Sequence, residues 1–242
     1  LRAAFSLTEP QSGSDVAGIK TRATRVDGGY KLNGGKIWCT NSAVSDFIVV
    51  AAKTGDSEER GNINFFIVEK GMEGFSVGRK EDKLGARGVP SSAIFFEDVL
   101  IPEENRLGPE GEGFKIVMEA LNKARPVIAA RGVGLAQGAI DHAQAFISER
   151  RAFGQAVKDF QGVRWILADM QIQTEAARGL VYKAASNVDA GLGGNDLAIQ
   201  AAIAKCHATD TAMQVATDAV QLFGASGISN EYPINRYFRD AK

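Results

Sequence analysis

Short apolar runs separated by turn residues occupy the first 102 residues of the chain, a pattern typical of β-strands. Two of these runs, residues 47–52 and 65–68, are continuously apolar, so we expect both of their faces to be covered. Asp27-Gly28-Gly29 and Asn33-Gly34-Gly35 offer the positive φ angles that tight hairpins need. The predicted strands of this antiparallel β domain are residues 21–26, 30–32, 36–40, 47–53, 62–69 and 93–99.

Beyond residue 102 the apolar side chains recur at i, i+3, i+4 and i+7, the spacing of amphipathic helices. Helices are predicted over residues 114–151, with a bend near Pro126, and over residues 160–189, 196–223 and 233–240. The second helix carries an apolar stripe of Val163, Ile166, Leu167, Met170, Ala177, Leu180, Val181 and Ala184. Long helices joined by short loops predict an antiparallel bundle.

The ends of these helices follow from capping chemistry. Asp196 is expected to cap the third helix by accepting hydrogen bonds from first-turn N–H groups, and glycines 191, 193 and 194 are expected to end the second. Small residues along the third helix permit close packing of helices. The glycine-rich residues 108–113 are a linker, so we predict an α+β protein with a middle β domain over 1–108 and a helical domain over 109–242.

Composition and charge narrow the class of protein. The 242 residues are 45% hydrophobic and 24% charged, which indicates an ordinary globular chain rather than a disordered one. With 28 basic and 29 acidic residues, the chain has no electrostatic reason to bind nucleic acid or an anionic membrane. No apolar run approaches the ~20 residues of a membrane span. Cys39 and Cys206 lie far apart, so we expect two buried thiols in a reducing compartment and no metal site.

Several catalytic signatures are missing from the sequence. The chain has no GxGxxG, GxxxxGK[ST], GxSxG or HExxH motif, which disfavours hydrolases and enzymes that act on nucleoside triphosphates. His142 and His207 each lie in a helical pattern beside alanines, where a surface or interhelical role is the ordinary interpretation. Neither histidine is assigned to catalysis.

Two loops carry the strongest chemical signal. Residues 7–15 read Leu-Thr-Glu-Pro-Gln-Ser-Gly-Ser-Asp, and residues 38–41 read Trp-Cys-Thr-Asn. Both are rich in hydroxyls and free backbone N–H groups beside an apolar strand, which suits a flat heteroaromatic ring whose polar edge needs several donors. Taken singly, each residue is more simply explained as a local turn or, for Trp38, as a core side chain.

Further segments turn these loops into a pattern. The chain continues with Glu-Asp-Lys-Leu-Gly at 81–85, Phe-Glu-Asp-Val at 96–99, Glu-Arg-Arg-Ala-Phe-Gly at 149–154, Glu-Tyr-Pro at 231–233 and Arg-Asp-Ala-Lys at 239–242. In this order and spacing, the segments resemble the acyl-CoA dehydrogenases over essentially the whole chain. The resemblance implies an antiparallel, barrel-like middle domain followed by an antiparallel helical bundle, with FAD bound between them.

The resemblance also assigns roles to individual residues. Phe5, Leu7 and Thr8 match the segment that holds the pyrimidine edge of the flavin, and Trp38 matches the residue packed against its ring. Thr40 matches a hydroxyl donor near flavin N5, where it would stabilise charge on the reduced ring. The remaining matches to FAD-contacting residues are Arg150, Phe153, Gln221 and Gly224. Arg150 and Phe153 match the pair that meets the pyrophosphate and adenine, typically from a neighbouring subunit, whereas Gly224-Ala225 departs from the family's usual Gly-Gly.

The same comparison gives a substrate side but no base. Ser14 and Arg125 match residues that hold coenzyme A, and Asn122 stands where relatives often carry Asp. The carboxylate that removes the α proton usually follows the Arg-Asp-Ala-Lys motif by about eight residues, so we expect a Glu beyond Lys242. A second position used in some relatives is Ala124 here. The chain therefore names no catalytic residue of its own.

Two explanations of the missing base remain open. The chain starts without Met and ends inside a motif, so we expect a truncated enzyme that lacks an N-terminal helical domain and a C-terminal catalytic segment. The alternative is a noncatalytic FAD-binding scaffold. An enzyme of this kind would oxidise a saturated acyl-CoA to the trans-2-enoyl-CoA in fatty acid β-oxidation and pass electrons to an electron-transfer flavoprotein. An acyl-CoA oxidase is the enzymatic rival.

The resemblance extends to assembly and location. Relatives are usually homotetramers, and the small-residue helix that starts near Asp196 would suit a packed interface. The expected location is the bacterial cytoplasm or the mitochondrial matrix, without membrane insertion.

Overall fold

A computed structural model describes residues 1–55 and 62–242 and divides the chain into two compact units. Unit 1 consists of Leu1–Lys83 and Arg87–Met118, and unit 2 consists of Leu84–Ala86 and Glu119–Lys242. The structure has the predicted α+β architecture, because unit 1 holds the main sheet and unit 2 holds most of the long helices. None of the helices in the described ranges is long and apolar enough to span a membrane.

The main sheet of unit 1 has eight strands, paired in the order β6-β7-β3-β2-β4-β5-β8, with β1 beside β4. These are β1 (Ala3–Ser6), β2 (Arg22–Val26), β3 (Gly29–Thr40), β4 (Phe47–Lys53), β5 (Ile63–Glu69), β6 (Phe75–Lys80), β7 (Ser91–Pro102) and β8 (Arg106–Leu107). The prediction for residues 47–53 is confirmed, and both β4 and β5 are buried along most of their length as their continuous apolar runs indicated. β6 is not among the predicted strands, because all six of its residues are exposed or only half-buried.

The sheet differs from the predicted antiparallel, barrel-like domain in two ways. Strand β1 runs parallel to β4, with Ala3 opposite Phe47, and β2 also meets β4 in parallel at Arg22. In the described strands no pairing joins the edges β6 and β8, so the sheet is open. The term barrel-like therefore describes its architecture only loosely.

The two predicted hairpin turns have different outcomes. Asp27 and Gly28 connect β2 to β3, so the first turn is confirmed. Asn33-Gly34-Gly35 lies inside the continuous strand β3, so the second is wrong. Between Leu32 and Gly34 the pairing with β7 slips by one residue, which is a β-bulge. Gly34 has a φ of 135°, and a Cβ there would lie 2.8 Å from the Cα of Thr21. The glycine therefore permits a close approach of two backbones rather than a chain reversal.

Unit 2 is a bundle whose core comes from four helices. They are α1 (Gly113–Glu149, whose first six residues belong to unit 1), α2 (Gln161–Asp189), α3 (Gly194–Phe223) and α4 (Ile234–Ala241). Pro126 lies inside α1. The predicted stripe of α2 contributes Met170, Ala177, Val181 and Ala184 to the core, together with Thr174, whose hydroxyl donates to the carbonyl of Met170 at 2.8 Å.

Two smaller predictions about unit 2 are wrong. Helix α3 begins at Gly194 with Gly193 as its N-cap and no side-chain cap, so Asp196 lies within the first turn, where its charge still complements the helix dipole. Cys206 is exposed on α3, whereas Cys39 is buried. Gly191, with a φ of 74°, follows the last turn of α2 as predicted.

Replacing Gly34 by Ala should destabilise unit 1 by about 1–3 kcal/mol, because the new Cβ meets the backbone of Thr21 at a φ that Ala rarely adopts. Urea unfolding followed through Trp38 in a Trp165→Phe background reports on unit 1, since these are the two tryptophans of the chain. Gly88→Ala is the control, because a Cβ at Gly88 meets open space. Equal stability of the two variants would refute this account of the bulge.

Candidate functional site

A buried ion pair anchors residues 7–15, the loop after β1 that is called the Thr8 loop below. The Nζ of Lys36 is 2.7 Å from Oε1 of Glu9, and the two side chains are 0% and 2% exposed. The carboxylate of Glu9 also accepts hydrogen bonds from the backbone N–H groups of Lys20 at 2.6 Å and Thr21 at 3.0 Å. Gln11 donates to it as well. Glu9 thus joins the loop to the start of β2.

The same ammonium group fixes the loop on the other side of Thr8. Lys36 donates a second hydrogen bond, at 3.1 Å, to the carbonyl oxygen of Leu7. The backbone N–H of Ile37 donates to the carbonyl oxygen of Thr8 at 2.9 Å. Among the described residues, none is hydrogen-bonded to the N–H or the hydroxyl of Thr8. The loop is therefore anchored through its carbonyls and keeps two donors at Thr8 for a ligand.

A second β-bulge determines where Trp38 lies. The pairing of β3 with β7 passes from Lys36 opposite Ile94 to Cys39 opposite Ser92, so β3 contains one extra residue. Simple alternation would place Trp38 on the buried face together with Lys36, but the bulge gives that place to Cys39. Trp38 has a φ of 57° and is 54% exposed. A large aromatic ring is thus held in an uncommon backbone conformation beside the Thr8 loop.

The other predicted residues of unit 1 flank this pair. Phe5 is partly exposed on β1, stacks on Phe65 at 5.7 Å, and accepts a hydrogen bond from Cys39 Sγ through its carbonyl. Thr40 is exposed, and its Oγ1 is 3.4 Å from Oγ of Ser91. The structure therefore brings Phe5, Leu7, Thr8 and Trp38 together, with Thr40 two residues farther along β3. Ser14 is exposed farther along the loop.

The pKa values of the ion pair reflect opposing effects. Burial alone would raise the pKa of Glu9, but the charge and hydrogen bond of Lys36, with the Thr21 and Lys20 donors, outweigh it and lower this pKa to about 2. Burial lowers the pKa of Lys36 to about 8, against the opposing effect of Glu9. The carboxylate is therefore ionised at neutral pH and is a poor proton acceptor.

In unit 2, Arg150 and Phe153 lie at a short hairpin after α1. Strands β9 (Arg151–Ala152) and β10 (Gln155–Ala156) pair, and the two turn residues, Phe153 and Gly154, both have positive φ angles, 51° and 82°. The side chain of Phe153 is 96% exposed. The hairpin thus exposes an aromatic ring, and Arg150, also exposed, directly precedes its first strand.

Gln221 and Gly224 lie at the same end of the bundle. The Phe146 ring near the end of α1 stacks on that of Phe223 at 4.2 Å. Gly224 follows Phe223 with a φ of 58°, which ends α3, and Gln221 is exposed in the last turn. The ends of α1 and α3 therefore form one continuous region of predicted ligand contacts.

Asn122 and Arg125 lie far along α1 from that region. The guanidinium of Arg125 donates to Oδ1 of Asn122. Asn122 lines a cavity of about 300 Å³ together with Glu119, Lys123 and the α2–α3 loop. At 1.5 Å per residue, Arg125 and Arg150, which directly follows the last residue of α1, are about 37 Å apart along the axis of this helix. The two groups of predicted residues in unit 2 are thus separate sites on this chain.

Lys36 is the site residue that the sequence interpretation missed. Tyr30, Leu32 and Lys36 are all buried at even positions of β3, and that alternation is a signal that Lys36 points inward. Splitting the strand at Asn33 removed the signal. No group of three or more His, Cys, Asp or Glu side chains that could hold a metal ion occurs in the described part of the chain.

Comparison with known proteins defines the family. Residues 4–99 match the model of the acyl-CoA dehydrogenase middle domain, and residues 111–242 match that of the acyl-CoA dehydrogenase C-terminal domain. A short-chain-specific acyl-CoA dehydrogenase of Clostridium acetobutylicum is 45% identical over 99% of this chain and 62% of its own length. The chain belongs to the acyl-CoA dehydrogenase family. It spans about three fifths of the curated relatives it matches.

Solved structures give the same result. Butyryl-CoA dehydrogenase from Megasphaera elsdenii has a TM-score of 0.95 and 45% identity over 99% of this chain and 62% of its own. A chain from work on the electron transferring flavoprotein of Acidaminococcus fermentans has a TM-score of 0.96 and 45% identity with the same coverage. The FAD complex of PigA has a TM-score of 0.92 and 30% identity, over 99% of this chain and 62% of its own. The predicted family is thereby confirmed.

The buried pair should make unit 1 acid-sensitive. Because the folded-state pKa of Glu9, about 2, lies below its usual 4.5, its contribution is present above pH 4.5 and is lost as the pH falls towards 2. Between these pH values, wild type should lose roughly 3 kcal/mol more unfolding free energy than Glu9→Gln. Urea titrations at several pH values, read through Trp38, measure the difference.

The exposed Glu73 provides the control for this measurement. Glu73→Gln should keep the pH dependence of wild type. If Glu9→Gln keeps it too, the acid sensitivity does not come from the buried pair.

Proposed function

We propose that this protein acts as an FAD-dependent acyl-CoA dehydrogenase. The observation that carries the proposal is the arrangement in unit 1, where Thr8 has two donors that pair with no described residue and the adjacent β-bulge turns Trp38 out of the core. A fold alone does not define a function, but this pair of features offers hydrogen-bond donors and an aromatic wall to a flat ring. Family membership and the FAD complex of a related structure support the assignment.

The residues present suit FAD. Thr8 would donate to the pyrimidine edge, with Phe5 and Leu7 supporting that segment, and Trp38 would pack against the ring. The exposed hydroxyl of Thr40 would donate near N5 and stabilise negative charge there. FAD, when bound, supplies the acceptor for a hydride from the substrate. Arg150 and Phe153 would contact the pyrophosphate and adenine side, since the planar guanidinium of Arg150 pairs with phosphate oxygens. Gln221 and Gly224 would form another loop in contact with FAD.

The substrate of the proposed reaction is a saturated acyl-CoA, converted to the trans-2-enoyl-CoA. Ser14, Asn122 and Arg125 would hold the coenzyme A moiety. The relatives named short-chain-specific and butyryl-CoA dehydrogenase favour a short acyl chain. An electron-transfer flavoprotein is proposed as the electron acceptor, in line with the related chain from the work on such a flavoprotein.

Assembly is part of the proposal. The length of α1 that separates Arg125 from Arg150 fits a site completed by the hairpin of another subunit, as in a homotetramer. We also propose residues 1–108 and 109–242 as the two domains of this protein. Since the relatives named above come from bacteria, we propose the bacterial cytoplasm as the location rather than the mitochondrial matrix.

The proton acceptor is not identified among the described residues. Glu9 is the only buried carboxylate among the described residues. Its low pKa makes it a poor base for a weakly acidic α proton, because removing that proton requires a desolvated base with a raised pKa. A glutamate beyond Lys242 stays a prediction. The competing functions are an acyl-CoA oxidase and a noncatalytic FAD-binding scaffold.

The native protein reconstituted with FAD and mixed anaerobically with butyryl-CoA should lose its visible flavin absorbance within a single turnover. Electrons should then pass to an added electron-transfer flavoprotein. Rapid reoxidation by air with formation of hydrogen peroxide would favour the oxidase. Tight FAD binding without bleaching by any acyl-CoA of a chain-length series would favour the scaffold.

Thr40→Ala should slow flavin reduction by about tenfold or more, because the donor near N5 is lost. Stopped-flow single-turnover measurements on the native protein with butyryl-CoA report this rate directly. Thr24→Ala is the matched control, since Thr24 is an exposed threonine on the adjacent strand β2. An unchanged rate in Thr40→Ala would remove this residue from the proposed mechanism.

A further inference from the structure

We propose that Lys36 and Glu9 are positioning residues that fix the Thr8 backbone for flavin binding, independently of their effect on stability. The inference rests on the proposed FAD site and extends it to two side chains with no predicted contact to the cofactor.

The network holds the residues on both sides of Thr8. Lys36 donates to the carbonyl oxygen of Leu7 at 3.1 Å and to the carboxylate of Glu9 at 2.7 Å. The next residue of β3, Ile37, donates its N–H to the carbonyl oxygen of Thr8. Three consecutive residues of the loop are therefore tied to two consecutive residues of one strand.

The carboxylate of Glu9 also ties the loop to the segment before β2, and this second contact opposes rotation of the loop about its contacts with Lys36. Glu9 accepts the backbone N–H groups of Lys20 and Thr21, just before β2. The segment is thus held between two neighbouring strands of the sheet. The N–H and hydroxyl of Thr8 carry no hydrogen bond to any described residue, so the bonds to the neighbouring backbone are what hold the Thr8 N–H and Cα in place.

Stability alone is a weak reason for such a pair. Replacing a buried ion pair by apolar residues of similar volume is often neutral or stabilising, because both charges lose their hydration. A methionine at position 36, however, cannot donate to the carbonyl of Leu7. Replacement of both charges by neutral side chains can therefore restore the fold without restoring the direction of the Thr8 donors.

The test compares wild type, Lys36→Met, Glu9→Gln and the double variant in the native protein. We measure urea stability of the apoprotein, FAD affinity by quenching of flavin fluorescence, and the midpoint potential of bound flavin. Each single variant should be less stable, since one buried charge loses its counter-charge, and the double variant should recover most of that loss. FAD affinity of the double variant should nevertheless stay at least tenfold below that of wild type.

The flavin potential distinguishes positioning from stability. Donors that point away from the pyrimidine edge stabilise the reduced flavin less relative to the oxidised flavin. The midpoint potential of the double variant should therefore fall, by about 30 mV for each tenfold loss of relative affinity for the reduced flavin. Lys53→Met is the control, because Lys53 is also a buried lysine but its side chain donates no hydrogen bond to residues 7–9 in the described part of the chain; only its backbone N–H, which the substitution keeps, donates to the carbonyl of Thr21. It should leave FAD affinity and potential unchanged.

The outcomes separate this inference from the function on which it rests. If wild type binds no FAD, the proposed function fails and the inference fails with it. If wild type binds FAD and the double variant regains wild-type affinity and potential together with stability, the inference alone is overturned.

Discussion

The ammonium group of Lys36 is completely removed from water, and the charge has to be neutralised where it lies. Glu9 neutralises it, and in doing so the carboxylate draws in the backbone before β2, while Lys36 itself reaches the carbonyl of Leu7. One buried charge pair therefore determines the path of the loop from residue 7 to residue 9. Along that path the carbonyls of Leu7 and Thr8 already accept hydrogen bonds, whereas the N–H and hydroxyl of Thr8 pair with no residue of the described ranges.

The bulge next to Lys36 has the complementary effect. A strand that alternates strictly would bury Trp38 on the face that carries Lys36, and no aromatic ring would then face a ligand. One extra residue reverses the phase, so that Cys39 enters the core and Trp38 leaves it. The cost is a positive φ at a bulky residue, which is of order 1–3 kcal/mol. The pairing with β7 on both sides of the bulge holds this conformation in place.

Much of this fold could be predicted from local pattern. The continuous apolar run of β4 and the periodic stripe of α2 are strong signals, because burial on both faces or on one helical face leaves a direct imprint on the sequence. Trp38 could not be placed in the same way. Its exposure depends on the register slip against β7 between Lys36 and Cys39, and a slip is a property of the pairing of two strands rather than of either strand alone. Lys36 keeps the alternation of Tyr30 and Leu32, and that signal is lost only when the strand is divided at Asn33.

A carboxylate in such a site can serve either the scaffold or the chemistry. To hold Lys36 and two backbone N–H groups, Glu9 has to remain ionised, and the same contacts that keep it ionised lower its pKa to about 2. A base that removes the α proton of a thioester needs the opposite environment, desolvated and without a cation beside it, so that its pKa rises towards neutrality. The two requirements exclude each other at one residue. The chemistry proposed for this family member thus needs a second carboxylate, in surroundings unlike those of Glu9.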